Sequence, residues 1–417
     1  MKETKFKQTE VGMIPCDWEV KPFCELFEIL PNNTLSRAKL NEEYGSYKNV
    51  HYGDVLVKFG EWVDCSNTAL PFINSNAKFN HTTLQDGDIV IADTAEDETV
   101  GKSTEIANTK NLKIVSGLHT IPIRPKIKFA AKWLGYYINS ACWHDQILPF
   151  ITGTKVSAIS KAAVCQTKLF YPAKLEEQKR IAQALSDVDA VISTTEKLIV
   201  KKNALKQGVM QQLLSGKKRL PGFSGKWENY VIGESGSLVK SSINPQVKPM
   251  QYFNEYSMPA YDTFRKPQRV LGSSMHSNRI QIDGEILLFN KLNVRQQRVW
   301  YIEKCANNAV CSTEFLPYSS KIIDLQLMRQ ILLTDQVTAD FIGMSTGTSN
   351  SQKRITPKHF LDYSLFLPPT IKEQKAIAKI FVDMDSEIAA LETKLAKYRQ
   401  LKTGMMQQLL TGKVRLI

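Results

Sequence analysis

The first half of this chain ends as the whole chain does: GVMQQLLSGKKRL, beginning at Gly208, returns as GMMQQLLTGKVRL, beginning at Gly404. The match runs back without a gap to Glu177 and Glu373, through EEQKRIAQALSDVDAVISTTEKL and KEQKAIAKIFVDMDSEIAALETKL, with roughly half of the positions identical. Shorter echoes lie upstream. LFYP at Leu169 and LFLP at Leu365 lead into the two repeats, TGT recurs at Thr152 and Thr346, DGDIVI at Asp86 matches DGEILL at Asp283, and IPCDWE at Ile14 resembles LPGFSGKWE at Leu220. A chain built this way folds as two similar halves, each a variable domain followed by one helix.

The helices are read from periodicity. Ile377, Phe381, Met384, Ile388, Leu391, Leu395 and Tyr398 alternate at four and three residues, and Ile181, Leu185, Val188, Ile192, Thr195, Ile199 and Lys202 do the same in the first copy. Thr195 and Lys202 are the polar members of that seam, and a lysine stem can lie along apolar surface with its charge in water. Proline before each repeat (Pro172; Pro368 and Pro369) and glycine after it (Gly216, Gly412) supply the boundaries. A helix from about Lys174 to Leu214 rises about 60 Å at 1.5 Å per residue. A helix with a single apolar stripe needs a partner, and the other copy is the obvious one. Gly208 and Gly404, each about 1 kcal/mol worse than alanine inside a helix, are expected to mark a close contact or a bend.

The variable parts, about 15–150 and 221–345, hold short β-rich runs (VLVKF, DIVIA, EILLF, RVWYIE) broken by Gly, Pro, Asn and Asp, with a helical stretch FAAKWLGYYINSACWHDQI after Ile127. The expected fold is mixed α/β: two small α/β domains, separated and joined by a long antiparallel two-helix coiled coil in a pseudo-two-fold tandem repeat. The boundaries are a first domain at 1–165, its helix at 166–216, a second domain at 217–364 and its helix at 365–417.

Composition narrows the function. Among 417 residues, 54 Lys and Arg against 41 Asp and Glu give a net charge of +13, which favours a polyanionic partner. Seven scattered cysteines without a CxxC pair suggest neither a disulfide framework nor a zinc site and fit a reducing cytoplasm. The opening MKETKFKQTEVGMIP is too polar for a secretory signal, and no apolar run approaches the roughly 20 residues of a spanning helix, so a cytoplasmic chain without membrane contact is expected.

Catalytic motifs are absent. There is no HExxH or GxSxG, and GKS at Gly101 has Glu96 where a phosphate-binding loop needs glycine. Glu392 and Lys394, preceded by Asp383 and Asp385, imitate a nuclease metal site but fall on a continuous helix as charges beside a seam. The six histidines show no ligand spacing, and His119 in SGLHTIPI reads as a packed, hydrogen-bonded residue. Asp93, Glu96, Asp97 and Glu98 lack the alternation of a calcium loop. No metal site is expected. The asparagine-proline-proline-aromatic motif of an adenine methyltransferase is missing too, so any methylation belongs to another subunit.

Binding remains. Arg and Lys match guanine, and Asn and Gln match adenine, by donor and acceptor pattern in the major groove. NKLNVRQQR, directly after the strand DGEILLF, is dense in such side chains: Lys291, Asn293, Arg295, Gln296, Gln297 and Arg298. TGTSNSQKR offers Asn350, Gln352, Lys353 and Arg354 as a second cluster. Arg265, Arg269 and Arg279, with Lys266, suit phosphates. In the first half the corresponding loop is acidic, which leaves Lys58, Lys102, Lys155 and Lys161.

Two variable domains, each followed by a helix ending in MQQLL[ST]GK, with P-x-x-x-E-E-Q-K-x-I-A from Pro172 and P-x-x-x-K-E-Q-K-x-I-A from Pro368, resemble the specificity subunit of type I restriction-modification systems. The resemblance implies two target recognition domains reading the halves of a bipartite, asymmetric double-stranded DNA site, with the helix pair fixing their separation. It also implies two methyltransferase subunits docked on the repeated framework and two restriction subunits joined to them. The chain would be non-catalytic and bind no cofactor itself, with S-adenosylmethionine, ATP and Mg on the partner subunits. The alternative is a coiled-coil structural adaptor that joins two protein partners without reading DNA. The base-reader density at Asn290–Arg298 argues against it.

Overall fold

The computed structural model describes residues 5–74, 76–347, 349 and 352–417. The chain divides into two compact units, one of residues 1–196 with 393–417 and the other of residues 197–392. Two 39-residue helices, Leu175–Leu213 and Ile371–Leu409, each contribute to both units.

In the first unit a five-stranded sheet runs in the order Phe27–Ile29, Thr120–Pro125, Ile89–Ala92, Ser103–Ala107, Trp62–Asp64. A four-stranded sheet holds Ile114–Ser116, Lys48–Val50, Phe72–Ile73 and Leu40–Asn41. The central strand Ile89–Ala92 is buried on both faces, which explains its unbroken apolar sequence where alternation would mark a half-exposed strand. Trp18–Pro22 pairs antiparallel with Lys168–Pro172, closing the base of the domain. The helical stretch expected after Ile127 consists of two short helices, Trp133–Ile138 and Ala141–Ile147, because Ser140 hydrogen-bonds back to the Tyr137 carbonyl and restarts the chain.

The second unit repeats the plan. Gly236–Leu238, Phe315–Ser320, Ile286–Asn290 and Val299–Ile302 form one sheet. The other is Ser242–Ile243, Arg279–Gln281, Ala309–Ser312, Tyr252–Tyr256 and Gln268–Leu271. Glu228–Val231 pairs with Ser364–Leu367 at the base.

Within each unit the two helix segments run antiparallel. In the first, Arg399 meets Glu196 at 2.6 Å and Lys402 meets Asp189 at 2.7 Å; in the second, Lys202 meets Glu387 at 2.6 Å and Lys206 meets Asp385 at 2.5 Å. The seam does two jobs. Ile181 and Leu185 enter the first unit's core with Trp18, Leu409 and Leu410, while Ile377 and Phe381 enter the second unit's core with Leu213 and Trp227. Toward the middle of the helices Ile388, Leu395 and Thr195 are buried, Thr195 by returning its hydroxyl to the Val191 carbonyl. Val188, Ile192, Ile199, Met384, Leu391 and Tyr398 are half-buried, as two helices without a surrounding core allow.

Three expectations change. VLVKF, read as a β-rich run, falls in the helix Tyr52–Val57 and its Lys58 cap, because the His51 side chain accepts from Gly53 N–H and starts a helix there. The cysteines are not all free: Cys24 and Cys165 form a disulfide with 5.2 Å between Cα atoms. Spacing could not reveal it, because 141 residues separate them and only the pairing at the domain base brings them together. Gly208 and Gly404 sit in unbroken helix, and a Cβ on either would meet nothing within 4 Å, so neither marks a close contact inside the chain. The glycines that are needed are Gly216 and Gly412, which end the helices at φ 68° and 70°, a conformation costly for other residues.

Glu105, buried in the first unit, accepts the Lys132 and Gly135 backbone N–H groups at 2.5 and 2.9 Å and so fixes Lys132 at φ 70°. Burial outweighs these bonds and pushes its carboxyl up to about 7 from its ordinary 4.5. The folded chain therefore binds more protons than the unfolded one between those values. The part of the stability linked to Glu105 is full below about pH 4.5 and is lost, by about 3 kcal/mol, as pH rises through 7. Denaturant titrations at pH 5 and 8 should show this slope in the native chain and its loss in Glu105→Gln; equal slopes in both would contradict it.

Candidate nucleic-acid interface

The buried strand Ile286–Asn290 delivers the chain to a loop that returns along Val299–Ile302, with Phe289 opposite Val299. Inside the loop, Val294–Gln296 forms one 3-10 turn between two left-handed residues, Asn293 (φ 51°) and Gln297 (φ 47°). Val294 is buried. The Gln297 side chain donates to the Leu333 carbonyl at 3.3 Å and the Thr338 hydroxyl at 2.9 Å, and Tyr261 donates to the Gln297 carbonyl at 3.2 Å. Arg298 grips Asp262 with two nitrogens, at 2.8 and 2.7 Å. Gln297 and Arg298 are thus anchors. Arg295 and Gln296 are left exposed at the crest, without a side-chain partner among the described residues.

The second cluster joins the first. Thr346 and Arg354 exchange backbone hydrogen bonds at 2.9 and 2.8 Å, closing their own loop. Asn293 N–H then donates to Lys353 O at 2.8 Å, and Ile355 N–H to Lys291 O at 3.1 Å. Stretches some sixty positions apart in sequence form one surface, with Gln352 exposed and Lys291 and Lys353 half-buried. Arg354 pairs with Glu314 at 3.1 Å, and Asn350 lies outside the described residues. Beside the loop opens a cavity of about 740 Å³ whose walls include Gln296, Arg265, Arg329, Lys206 and Trp300. Arg265 lies 3.7 Å from the centre of the Tyr261 ring and Arg269 4.3 Å from that of Tyr252, both exposed. Arg279 is spent internally on Glu255 and Ser277.

In the first unit the equivalent loop links Ile89–Ala92 to Ser103–Ala107, and Thr94–Ala95 pairs with Ser157–Ala158 of the TGT loop. It carries Glu96, Asp97 and Glu98 exposed, with Asp97 turned onto Thr99 at 2.5 Å. Lys102 is half-buried and donates to the Leu56 carbonyl at 2.7 Å, its ammonium pKa lowered by burial, and Lys58 donates to the Ala69 carbonyl at 3.0 Å. Lys155 and Lys161 are exposed without a partner among the described residues. His119 is not packed away as expected; its left-handed backbone (φ 53°) holds the ring half-exposed, 3.4 Å from Asp93 and from Thr94.

The family model for the type I restriction modification DNA specificity domain matches residues 15–206. A protein of Methanocaldococcus jannaschii assigned as the MjaX type I restriction enzyme specificity subunit is 25% identical over 446 residues, covering 99% of this chain and 97% of its own. Residues 15–206 match the type I restriction modification DNA specificity domain, and over almost its whole length the chain is similar to a type I restriction enzyme specificity subunit. The MjaVIII specificity subunit of the same organism is 26% identical over 292 residues, 63% of this chain and 66% of that one. The fold matches the crystal structure of the type I system S subunit from M. genitalium with a TM-score of 0.58 at 13% identity, over 94% of this chain and 96% of that one.

Within this chain the repeated EEQK and KEQK segments have a structural purpose that helix periodicity conceals. Glu177, 2% exposed, accepts from Arg415 at 2.5 and 2.8 Å; Glu373, fully buried, accepts from Arg219 at 2.7 Å through both oxygens. Each arginine follows the end of one helix and holds the start of the other. The neighbouring glutamines dock the domains: Gln178 accepts from Ala130 N–H and donates to Pro172 O, and Gln374 accepts from Asp324 N–H and donates to Pro368 O. From sequence the two glutamates and two glutamines served only as markers of the repeat, and the two arginines were given no role. Their signal was available, since glutamate and arginine recur at aligned positions in both copies. Among the described residues no cluster of His, Cys, Asp or Glu is arranged to hold a metal ion, and no helix is long and apolar enough to cross a membrane.

Proposed function

We propose that this chain reads a bipartite, asymmetric site on double-stranded DNA, one half with each target domain. Its helix framework holds two methyltransferase subunits, to which two restriction subunits join. The chain itself is non-catalytic in this reading; S-adenosylmethionine, ATP and Mg serve the partner subunits. The observation that carries it is the convergence of Lys291–Gln296 and Gln352–Lys353 on one exposed surface of a chain with net charge +13, since base-edge donors backed by cations suit a major groove. The names of the relatives support the same reading. A coiled-coil adaptor without DNA readout leaves the rigid presentation of Arg295 and Gln296 without a purpose.

Competition binding of the full chain with its methyltransferase, using the cognate site and random duplex, tests the reading. Arg295→Ala is expected to lose one base preference worth about 1–3 kcal/mol. Arg298→Ala, which frees the loop from Asp262, should weaken cognate binding without changing which base is preferred. Arg265→Ala should weaken cognate and random DNA alike. An Arg295→Ala protein with the full native preference would refute the assignment of this loop.

A further inference from the structure

Each target domain ends one short helix with an exposed apolar residue followed by a cation. In the second domain the helix Met258–Phe264 leaves Phe264 57% exposed, with Arg265 as its left-handed cap. In the first the helix Tyr52–Val57 leaves Val57 87% exposed, with Lys58 as its cap. The helices are equivalent by topology. Each follows a strand, Tyr252–Tyr256 or Lys48–Val50, that runs parallel to its neighbour, Ala309–Ser312 or Ile114–Ser116. Each also braces its domain's candidate reading loop. Tyr261 and Asp262 hold Gln297 and Arg298, and the Leu56 carbonyl holds Lys102. The repeated helix therefore places an uncovered apolar side chain beside the reading loop in both units, where the fold gains nothing from it.

We infer that Phe264 and Val57 are specificity residues, each packing on the C5-methyl group of a thymine in the half-site read by its own domain. This rests on the DNA-reading assignment proposed above. The thymine methyl is the apolar feature of the major groove, and contact with it is how an apolar side chain distinguishes bases there. A wedge driven between base steps is the other use of exposed apolar residues on DNA, but it belongs to minor-groove binders that kink the duplex. Val57 is too short for it, and Phe264 stands beside a loop whose side chains are suited to the major groove. The cation next in sequence, Lys58 or Arg265, is placed to meet the phosphate flanking that base.

Thymine-to-deoxyuridine substitution removes only the methyl group. In the complex of the full chain with its methyltransferase, bound to its mapped site, thymines are replaced one at a time by deoxyuridine. One position in each half-site should lose roughly fourfold in affinity, about what burying one methyl group contributes. Phe264→Ala should abolish the thymine-over-uracil preference in the second half-site and leave that in the first, Val57→Ala should do the reverse, and Phe264→Leu should retain part of the preference. Because both side chains are exposed, the variants should unfold like the native chain. A half-site without thymine on either strand, wild-type binding indifferent to every deoxyuridine, or a preference that survives Phe264→Ala overturns the inference while leaving DNA reading intact. Equal binding of the mapped site and random DNA by the wild-type complex overturns the DNA-reading assignment itself.

Discussion

Arg415→Ala is expected to destabilise the first unit by about 3–5 kcal/mol, because it leaves the Glu177 carboxylate buried without its cation. Arg415 is itself 93% hidden at the side chain and also holds Asp17 at 2.8 Å, so the substitution frees the segment before Trp18 as well. Replacing the buried carboxylate together with its partner, in Arg415→Ala with Glu177→Gln, should recover part of the loss, since an unpaired amide costs less to bury than an unpaired charge. Urea unfolding of the full chain, followed by tryptophan fluorescence, reads both. A loss under 1 kcal/mol for the single variant would mean that the pair is solvated in solution and clamps nothing.

A chain ending after Leu220 is expected to form a homodimer. The first unit is completed by residues 393–417, which supply Leu409 and Leu410 to its core and Arg415 to Glu177. The shortened chain lacks them but carries the aligned Leu213, Leu214 and Arg219, so two copies can each complete the other. With its methyltransferase this dimer should recognise a palindrome of the first half-site. Arg219→Ala in the shortened chain should return it to monomer, because the carboxylate of Glu177 would then lack a partner. Sedimentation at micromolar concentration decides the matter, and a folded monomer there would contradict the exchange.

The parts of the molecule that repeat, or that follow a local period, were legible in the sequence. Alternating four-three spacing from Ile377 to Tyr398 and the closing glycines gave helices within a few residues of Leu175–Leu213 and Ile371–Leu409. The runs DIVIA, EILLF and RVWYIE located strands because a doubly buried strand is written as continuous apolar residues, whereas VLVKF, as apolar as they are, falls in the helix Tyr52–Val57. Within the candidate reading loop, composition placed Arg295 and Arg298 side by side as equals, and only the fold separates them. Arg298 is neutralised by Asp262, 36 positions earlier on another element, and Arg295 has no such neighbour. The first domain's lysines failed to cluster for the same reason. Lys102 is turned inward to a carbonyl that no local pattern announces. Cys24 and Cys165 likewise meet through strand pairing at the domain base, a long-range event that spacing cannot encode.

Long-read mapping of methylated adenines, in cells carrying this chain and its methyltransferase, tests the central claim most directly. The expected result is a single bipartite motif with two unlike halves, present only when the chain is present, in which Arg295→Ala relaxes one half and leaves the other untouched. A methylation pattern that does not depend on the chain, or a motif with both halves unchanged in Arg295→Ala, would contradict it.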